Sequence, residues 1–394
     1  MIFKVANAEF AEQVEALWDY CFEKKSDPFF QYYFNSYCFK QNIVFGGFER
    51  VGTREKLCTM VHINPYKLRI RGIEQQVPYL VGVATAPEAR GQHLFAHLVQ
   101  KIFDFIRFKG CAFVTLMPIY AGIYLPYQFS YCYYRHAYKM PLEALPRDLK
   151  SDALRIEHLD PDTIILMPLY NELTRPLNGV PIRSLEQWNK LLTVGRLENL
   201  QCAIVYRQEK PVAYMLYKIE KDVFDVLELL ADASDSRNCL LAYASEHRSE
   251  ASMFSWLALS DDKTYLLFEN QNLSGSLHPF MMARCLDVRA ALANLLLPEK
   301  FPIEGVTLKV TDKIIPINNC IIKLEKVKGR LIISDSTDKE AVSMDIGAFT
   351  QLFMGVFTAS ELHAAGKICC QYLEKLKILD MLFPKQVNYN NEYF

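Results

Sequence analysis

The chain has 394 residues, a formal net charge of −1, and a composition that is 51% hydrophobic and 13% aromatic. That length exceeds one ordinary hydrophobic core and predicts two or three domains, while the near-neutral balance supplies no general field for nucleic acid. No run approaches the roughly 18 consecutive apolar residues of a membrane-spanning helix, and the opening MIFKVANAEFAEQVEALW lacks the apolar block of an export signal.

The eleven cysteines are scattered and odd in number. Cys369 and Cys370 are adjacent, which rules out a Cys-x-x-Cys clamp, and no His or Cys spacing suits a metal. Reduced thiols, a metal-free protein and a cytoplasmic location are the expectation.

In chain order, residues 8–24 predict an amphipathic helix with Phe10, Val14, Leu17 and Cys21 on one face. Strands follow at 42–48, 56–63, 66–71 and 76–85, the last ending in the β-branched run YLVGVAT. A turn, Ala86-Pro-Glu-Ala-Arg90-Gly91-Gln92-His93, leads into a helix carried by Leu94, Leu98, Ile102 and Ile106, with Gly110 as its stop. A strand at 112–117 and an aromatic-rich stretch at 124–138 close this mixed α/β layer near 141–146. A second α/β segment places strands at 153–158, 201–207, 212–218, 223–231 and 251–257, with helices at 161–175, 185–192 and 237–248. Its order echoes the first unit, but its turn from Ala231 to Arg237 contains no glycine, and it reads as a degenerate repeat without a cofactor. Residues 277–284 mark a seam. An α+β segment follows: after 287–296 come strands at 305–312, 320–325 and 329–334, and then helices at 345–358 and 359–376.

The strand, Arg-Gly turn and helix start at 79–108 form a cradle for pyrophosphate. Backbone N–H groups and the positive end of the helix converge on an anion, and Arg90 adds charge. The absence of a Gly-Lys-Ser/Thr ending separates it from a P-loop. Gly82 suits a bulge in the preceding strand.

This segment resembles motif A of the GNAT superfamily of N-acetyltransferases, Arg/Gln-x-x-Gly-x-Gly/Ala. Arg90 fits, Gly91 and Gln92 occupy free positions, and His93 and Phe95 stand where the family has glycine and glycine or alanine. Farther on, Leu116-Met-Pro-Ile-Tyr-Ala-Gly-Ile-Tyr124-Leu-Pro-Tyr127-Gln128-Phe129 resembles the family's second signature, with Gln128 replacing its glycine. The whole chain is similar to the enhanced-intracellular-survival (Eis-type) acetyltransferases. That resemblance implies tandem GNAT folds, each a mixed sheet with flanking helices, followed by an α+β domain like sterol carrier proteins. The divisions are 1–146, 147–284 and 285–394.

The resemblance implies a direct transfer from acetyl-CoA to a small-molecule amine, in a ternary complex and in a homo-oligomer. Val83, Ala84 and Thr85 would line the thioester, and Arg90, Gly91, Gln92, His93, Leu94, Phe95 and Ala96 the pyrophosphate. Tyr124 would be the general acid for the departing thiol, although in a chain with 22 tyrosines a core role is the plain alternative. The α-carboxylate of Phe394 would be the general base for an amine of pKa about 10.4; against this, chain ends fray and a carboxyl of pKa about 3.5 is a feeble base in water. His93 either caps the helix and donates to phosphate or marks decay of the cradle. Glu23 and Asp27, with Phe22 and Phe30 as walls, are candidate acceptor-cleft residues, each open to reading as a solvated helix end. His62, His97 and His278 read as structural. The rival from another class is a non-catalytic CoA-binding or regulatory protein with a degenerate pyrophosphate loop.

Overall fold

The computed structural model describes residues 1–149, 151–273, 275–293, 295–302 and 304–393. They divide into two compact units: one from Met1–Cys132, Phe280–Gln386 and the last residues from Glu392, the other from Tyr133–Pro279 and Val387–Asn391.

In the first unit, strands Ile2–Ala6, Ile43–Val51, Arg54–Asn64, Tyr79–Thr85 and Phe113–Leu116 lie side by side in that order. The first four are antiparallel neighbours, and Met282–Cys285 pairs antiparallel with Phe113–Leu116 at the far side. The expected seam at 277–284 is therefore part of a strand, Ser276–Cys285, whose four last residues lie among buried positions. Tyr79–Thr85 runs parallel to Phe113–Leu116 as a crossover through a helix requires, with the 15-residue helix Leu94–Phe108 as that connection. Helix Ala11–Cys21 packs Val14, Leu17 and Trp18 into a core with Phe10, Phe30, Tyr33, Phe48 and Met60.

The same unit holds a five-stranded sheet ordered Arg330–Asp335, Cys320–Val327, Val306–Thr311, Val342–Asp345, Ile368–Cys369, with helices Ile346–Phe353, Ala359–Ala364 and Leu373–Leu382. The single helix expected over 359–376 is a correction. It ends at Ala364 because Gly366 turns left-handed (φ 71°), and the N–H of Lys367 bonds back to Leu362 (2.8 Å), the closure that terminates helices. Ile368 then joins the sheet opposite Met344. Arg71, at the tip of the hairpin Lys67–Ile70 and Ile73–Gln76, donates to the carbonyls of Phe353 (2.6 Å) and Leu352 (3.1 Å), the end of Ile346–Phe353.

The second unit orders its strands Ser130–Pro141, Met253–Leu259, Val223–Ala231, Lys210–Glu220, Gln201–Arg207, Leu154–Leu159. Val223–Ala231 and Met253–Leu259 are parallel and joined through helix Ser234–Ser245, which repeats the crossover of the first unit. That helix starts three residues before the expected 237, inside the turn. Helices Thr163–Leu173 and Leu185–Leu197 cover a core of Leu166, Tyr170, Trp188, Tyr214 and Tyr389.

Candidate active site

The site begins with a defect in a strand. Along Arg54–Asn64 the partners step from Met60 opposite Ala84 to His62 opposite Val81, so one residue faces Gly82 and Val83 together. This is a β-bulge, which bends a strand and re-aims its backbone. Gly82 adopts φ 57°, and a Cβ placed there would overlap Cζ3 of Trp18 and lie 3.1 Å from its Cε3. Glycine is thus required both by backbone and by space. On the other side, pairing with Phe113–Leu116 covers only Tyr79 and Leu80. Pairing stops at Leu80 because the partner strand ends at Leu116, so Val83, Ala84 and Thr85 continue past the end of that strand. Thr59 Oγ1 donates to the Ala84 carbonyl (2.9 Å), which fixes the bulge from behind.

The expected cradle follows. Arg90 is extended and exposed, its Nε donating to the Thr85 carbonyl (3.3 Å) and its guanidinium 5.9 Å from the Tyr20 ring. Gly91 has φ 78° with nothing within 4 Å of a Cβ position, so the backbone there is open to a ligand. His93 is the residue before the helix and takes the left-handed conformation (φ 55°) that glycine takes freely. Its exposed side chain makes no capping hydrogen bond, so of its two expected roles the cap is not seen. Gln92 Nε2 lies 3.5 Å from the Glu88 carbonyl. The first turn of Leu94–Phe108 thus presents Leu94, Phe95 and Ala96 with a positive helix end and no side-chain cap from His93. Those residues fit an anionic, pyrophosphate-bearing substrate such as acetyl-CoA.

Phe95 has a different task. Its ring meets Tyr124 at 5.9 Å and 81° and Tyr127 at 5.2 Å and 90°, edge-to-face geometries that favour aromatic pairs. The departure from glycine ties the cradle helix to the Tyr124 loop. Tyr124 joins two short turns, Ala121–Ile123 and Leu125–Tyr127, and is 9% exposed. Burial pushes its phenol up to about 12, so it holds its proton at neutral pH, and farther from a thiol's pKa than its free value suggested. Gln128 also keeps the left-handed backbone of the glycine it replaces (φ 59°), and its Oε1 accepts from the Lys313 N–H (2.8 Å).

Three participants escaped the sequence. Tyr66 donates its hydroxyl to Glu392 Oε2 (3.2 Å). Tyr79 is fully enclosed; burial raises its phenol most, followed by the carboxylate of Glu392, with Tyr393 and Tyr124 also near enough to act on it. Tyr66 also packs edge-to-face on Tyr79 (5.5 Å, 76°), so Glu392 is linked to Tyr79 through Tyr66. Tyr393 packs its ring 5.6 Å from Phe280. Phe394 lies outside the described residues. The tail's Asn-Glu-Tyr-Phe lettering was the one available signal, and it gives no hint of Tyr66, more than 300 residues away.

The acceptor-cleft candidates are otherwise engaged. Glu23 accepts from Trp18 Nε1 (2.8 Å), and Asp27 caps helix Pro28–Tyr32 by accepting from the Phe29 N–H (2.8 Å). Phe22 is half-buried and Phe30 buried. His62 Nδ1 shares a hydrogen bond with the Tyr33 hydroxyl (2.8 Å) in the core, where burial drives its pKa down to about 3 and keeps it neutral. Among the described residues no group of three or more His, Cys, Asp or Glu is placed to hold a metal ion, and no helix is long and apolar enough to cross a membrane.

The equivalent turn of the second unit is closed by its own side chains. Arg207 bonds Asp232 (2.5 Å) and Asp235 (3.0 Å), Asp235 accepts from the Ser236 N–H (2.8 Å), and Ser236 Oγ donates to Asp232 (2.7 Å). Carboxylates occupy the helix start where a phosphate would otherwise sit.

Comparison with known proteins agrees with this geometry. A family model described as an acetyltransferase (GNAT) domain matches residues 3–132, a second acetyltransferase (GNAT) model matches 179–289, and a sterol carrier protein domain matches 288–391. The chain belongs to the GNAT acetyltransferases and is an enzyme of the acyltransferase class. Its build, two such domains followed by a sterol carrier domain, is that of the Eis-type members. No curated protein sequence matches the chain. Solved structures share the fold over its whole length. A conserved protein of unknown function from Enterococcus faecalis is 20% identical with a TM-score of 0.85, covering 100% of this chain and 99% of that one. A GCN5-related N-acetyltransferase from Anabaena variabilis is 18% identical with a TM-score of 0.84, covering 100% of both chains. Eis1 from Mycobacterium abscessus is 14% identical with a TM-score of 0.77, again covering 100% of both.

Proposed function

We propose that the protein transfers acetyl from acetyl-CoA directly to the amine of a small molecule, of aminoglycoside, polyamine or lysine type, within a ternary complex. The observation that carries this reading is the bulged strand at Gly82 leading into the exposed Arg90, the open backbone at Gly91 and a helix start without a side-chain cap, with Tyr124 packed 5.9 Å from Phe95 on that helix. In the reaction the amine nitrogen bonds to the thioester carbon, the carbonyl becomes an oxyanion, and the C–S bond then breaks. The backbone at Val83–Thr85 is suited to receive the oxyanion. Tyr124 would give its proton to the leaving sulfur, and the Phe394 carboxylate would take the proton released by the amine. Arg90 and the amides from Gly91 to Ala96 would hold the pyrophosphate. The boundaries at 146/147 and 284/285, a cytoplasmic location and a homo-oligomeric state belong to the same reading.

Replacing Tyr124 by Phe tests it. Thiol release from acetyl-CoA with an amine panel should show kcat lower by about 10²–10⁴-fold, with KM for acetyl-CoA nearly unchanged because the phenol acts only as the thiol leaves. A kcat within about twofold of the parent would remove Tyr124 from the mechanism.

A further inference from the structure

Beside the bulge, one face of the strand Arg54–Asn64 carries polar groups inside an aromatic core. His62 lies opposite Val44 and Val81, and Asn64 opposite Tyr79. They are two residues apart and so share a face, and both are 0% exposed. Asn42 sets the direction of the bonds around them. Its Oδ1 accepts from the Phe39 N–H (3.0 Å), so its Nδ2 is the donor, to the Tyr33 hydroxyl (2.7 Å) and to Asn64 Oδ1 (3.3 Å). The Tyr33 hydroxyl, already accepting, donates its own hydrogen to His62 Nδ1 (2.8 Å), and Asn42 Nδ2 approaches the same nitrogen at 3.4 Å. The neutral imidazole therefore accepts at Nδ1 and carries its hydrogen at Nε2. Asn64, accepting through Oδ1, has its Nδ2 hydrogens left to give. Neither His62 Nε2 nor Asn64 Nδ2 has a hydrogen-bond partner among the described residues.

Buried donors in folded proteins are almost always matched, because an unmade bond forfeits hydration without return. The place of these two suits a reactant. Val44, on the face of His62, belongs to the core of helix Ala11–Cys21, whereas its neighbour Phe45 meets Phe105 of the cradle helix (5.6 Å). Neighbours along a strand point to opposite faces, so the donors lie on the face away from the cradle helix. An acceptor bound together with the cofactor has that face free to enter by. From His62 to the Val83 backbone is one strand spacing across and two residues along, about 8 Å. The rings of Trp18, Tyr33 and Phe34 cover His62. Tyr33 opens the wide turn Tyr33–Tyr37, in which the Cys38 N–H bonds the Tyr33 carbonyl (2.7 Å), a geometry concentrated at functional sites. Entry requires that cover to lift. Two N–H donors on neutral groups attract a lone pair and repel an ammonium ion. We propose that His62 Nε2–H and Asn64 Nδ2–H recognise a hydroxyl or carbonyl oxygen of the acceptor, so that the enzyme takes amino sugars and amino-acid derivatives over amines without oxygen. This rests on the reading of the chain as an acetyltransferase working through a ternary complex. A resident water offers the same lone pairs, and the test separates the two sources.

The test compares amines matched except for oxygen: deoxystreptamine against the corresponding diaminocyclohexane, and lysine methyl ester against cadaverine. Two quantities are read in the full chain. The first is kcat/KM from thiol release; the second is amine affinity by calorimetric titration in the presence of desulfo-CoA, which needs no turnover. The parent should prefer the oxygen-bearing member of each pair by about 100-fold or more. Asn64→Leu, which leaves the bonds among Asn42, Tyr33 and His62 in place, and His62→Phe should each shrink that preference about tenfold, with KM for acetyl-CoA within about twofold. Taking the ratio within each protein cancels differences in amine basicity. A parent preference below about threefold would overturn the oxygen site. So would a preference that the variants leave intact while their Tm falls, the result expected if the donors hold only a water. If His62→Phe does not fold, Asn64→Leu and the parent ratio decide. Where no amine releases thiol, the acetyltransferase reading fails instead and the titration alone decides: a preference lost in Asn64→Leu supports the site, and absent or equal binding rejects it.

Discussion

Gly82→Ala is the sharpest probe of the bulge. A residue with a Cβ held at φ 57° costs about 1–2 kcal/mol in the left-handed region, offset by about 0.4–1 kcal/mol from a less flexible unfolded chain. The added methyl also overlaps Cζ3 of Trp18, an indole 1% exposed with stacked or tilted rings of Phe22, Tyr33 and His62 on it. It has no room to retreat, and overpacking of such a core costs about 1–3 kcal/mol. The net loss is about 1–5 kcal/mol, or about 2–20 °C in Tm for a unit of this size. Gly91→Ala supplies the control, since Gly91 is equally left-handed (φ 78°) but has nothing within 4 Å of its Cβ position. It should lose only the backbone part, about 1 kcal/mol or less. Calorimetric melting of both variants, with acetyl transfer assayed beside it, separates the two effects. Gly82→Ala should also lower kcat/KM by about 100-fold, because the bulge re-aims the backbone that faces the thioester. Equal melting shifts for the two variants would refute the clash with Trp18, and unchanged kcat/KM in Gly82→Ala would refute the role of the bulge.

Two further outcomes follow from the same physics. His93→Gly should leave stability within about 1 kcal/mol, strain relief and added chain entropy opposing each other, while lowering KM for acetyl-CoA a few-fold as the backbone is freed for closer approach; a higher KM would show that the imidazole itself binds phosphate. At Glu228 burial alone would raise the carboxyl pKa, but Arg183 and the hydroxyls of Tyr214 and Tyr389 outweigh it and leave it lowered. A lowered folded pKa contributes stability that is present above the unfolded value of about 4.3 and is lost as pH falls through the folded value. Between about pH 5 and pH 3 the parent should therefore lose Tm more steeply than Glu228→Gln, and parallel slopes would contradict the coupling.

The parts of the site legible in the sequence were those built from neighbours in the chain. Arg90, Gly91 and the helix from Leu94 announce themselves because turn chemistry and helix periodicity act over a few residues. Asp27 could have been read as a cap from Asp-Pro-Phe-Phe, since Pro favours the first helical position and Asp the one before it. Gly366 was visible, but the apolar spacing of Leu362 and Leu376 continues across it and masked the break. Tyr66, Tyr79 and Glu392 were not legible, because what makes them a group is a pairing across the length of the chain and the burial that pairing creates. The substitutions at His93 and Gln128 looked like decay, yet both keep the backbone handedness of glycine, and Gln128 uses its side chain to bond Lys313. Letters reported the change of residue type, while the conformation carried the information that mattered.

The closed turn around Arg207, Asp232 and Asp235 has a consequence for stoichiometry. Its carboxylates already satisfy the helix start and place negative charge where a pyrophosphate would have to come. A calorimetric titration of the intact chain with acetyl-CoA should therefore saturate at about one equivalent, even though two of its domains descend from the same fold. Saturation at one equivalent would mean that duplication of the fold had not doubled its capacity, and saturation at two would show that the carboxylates give way to the ligand.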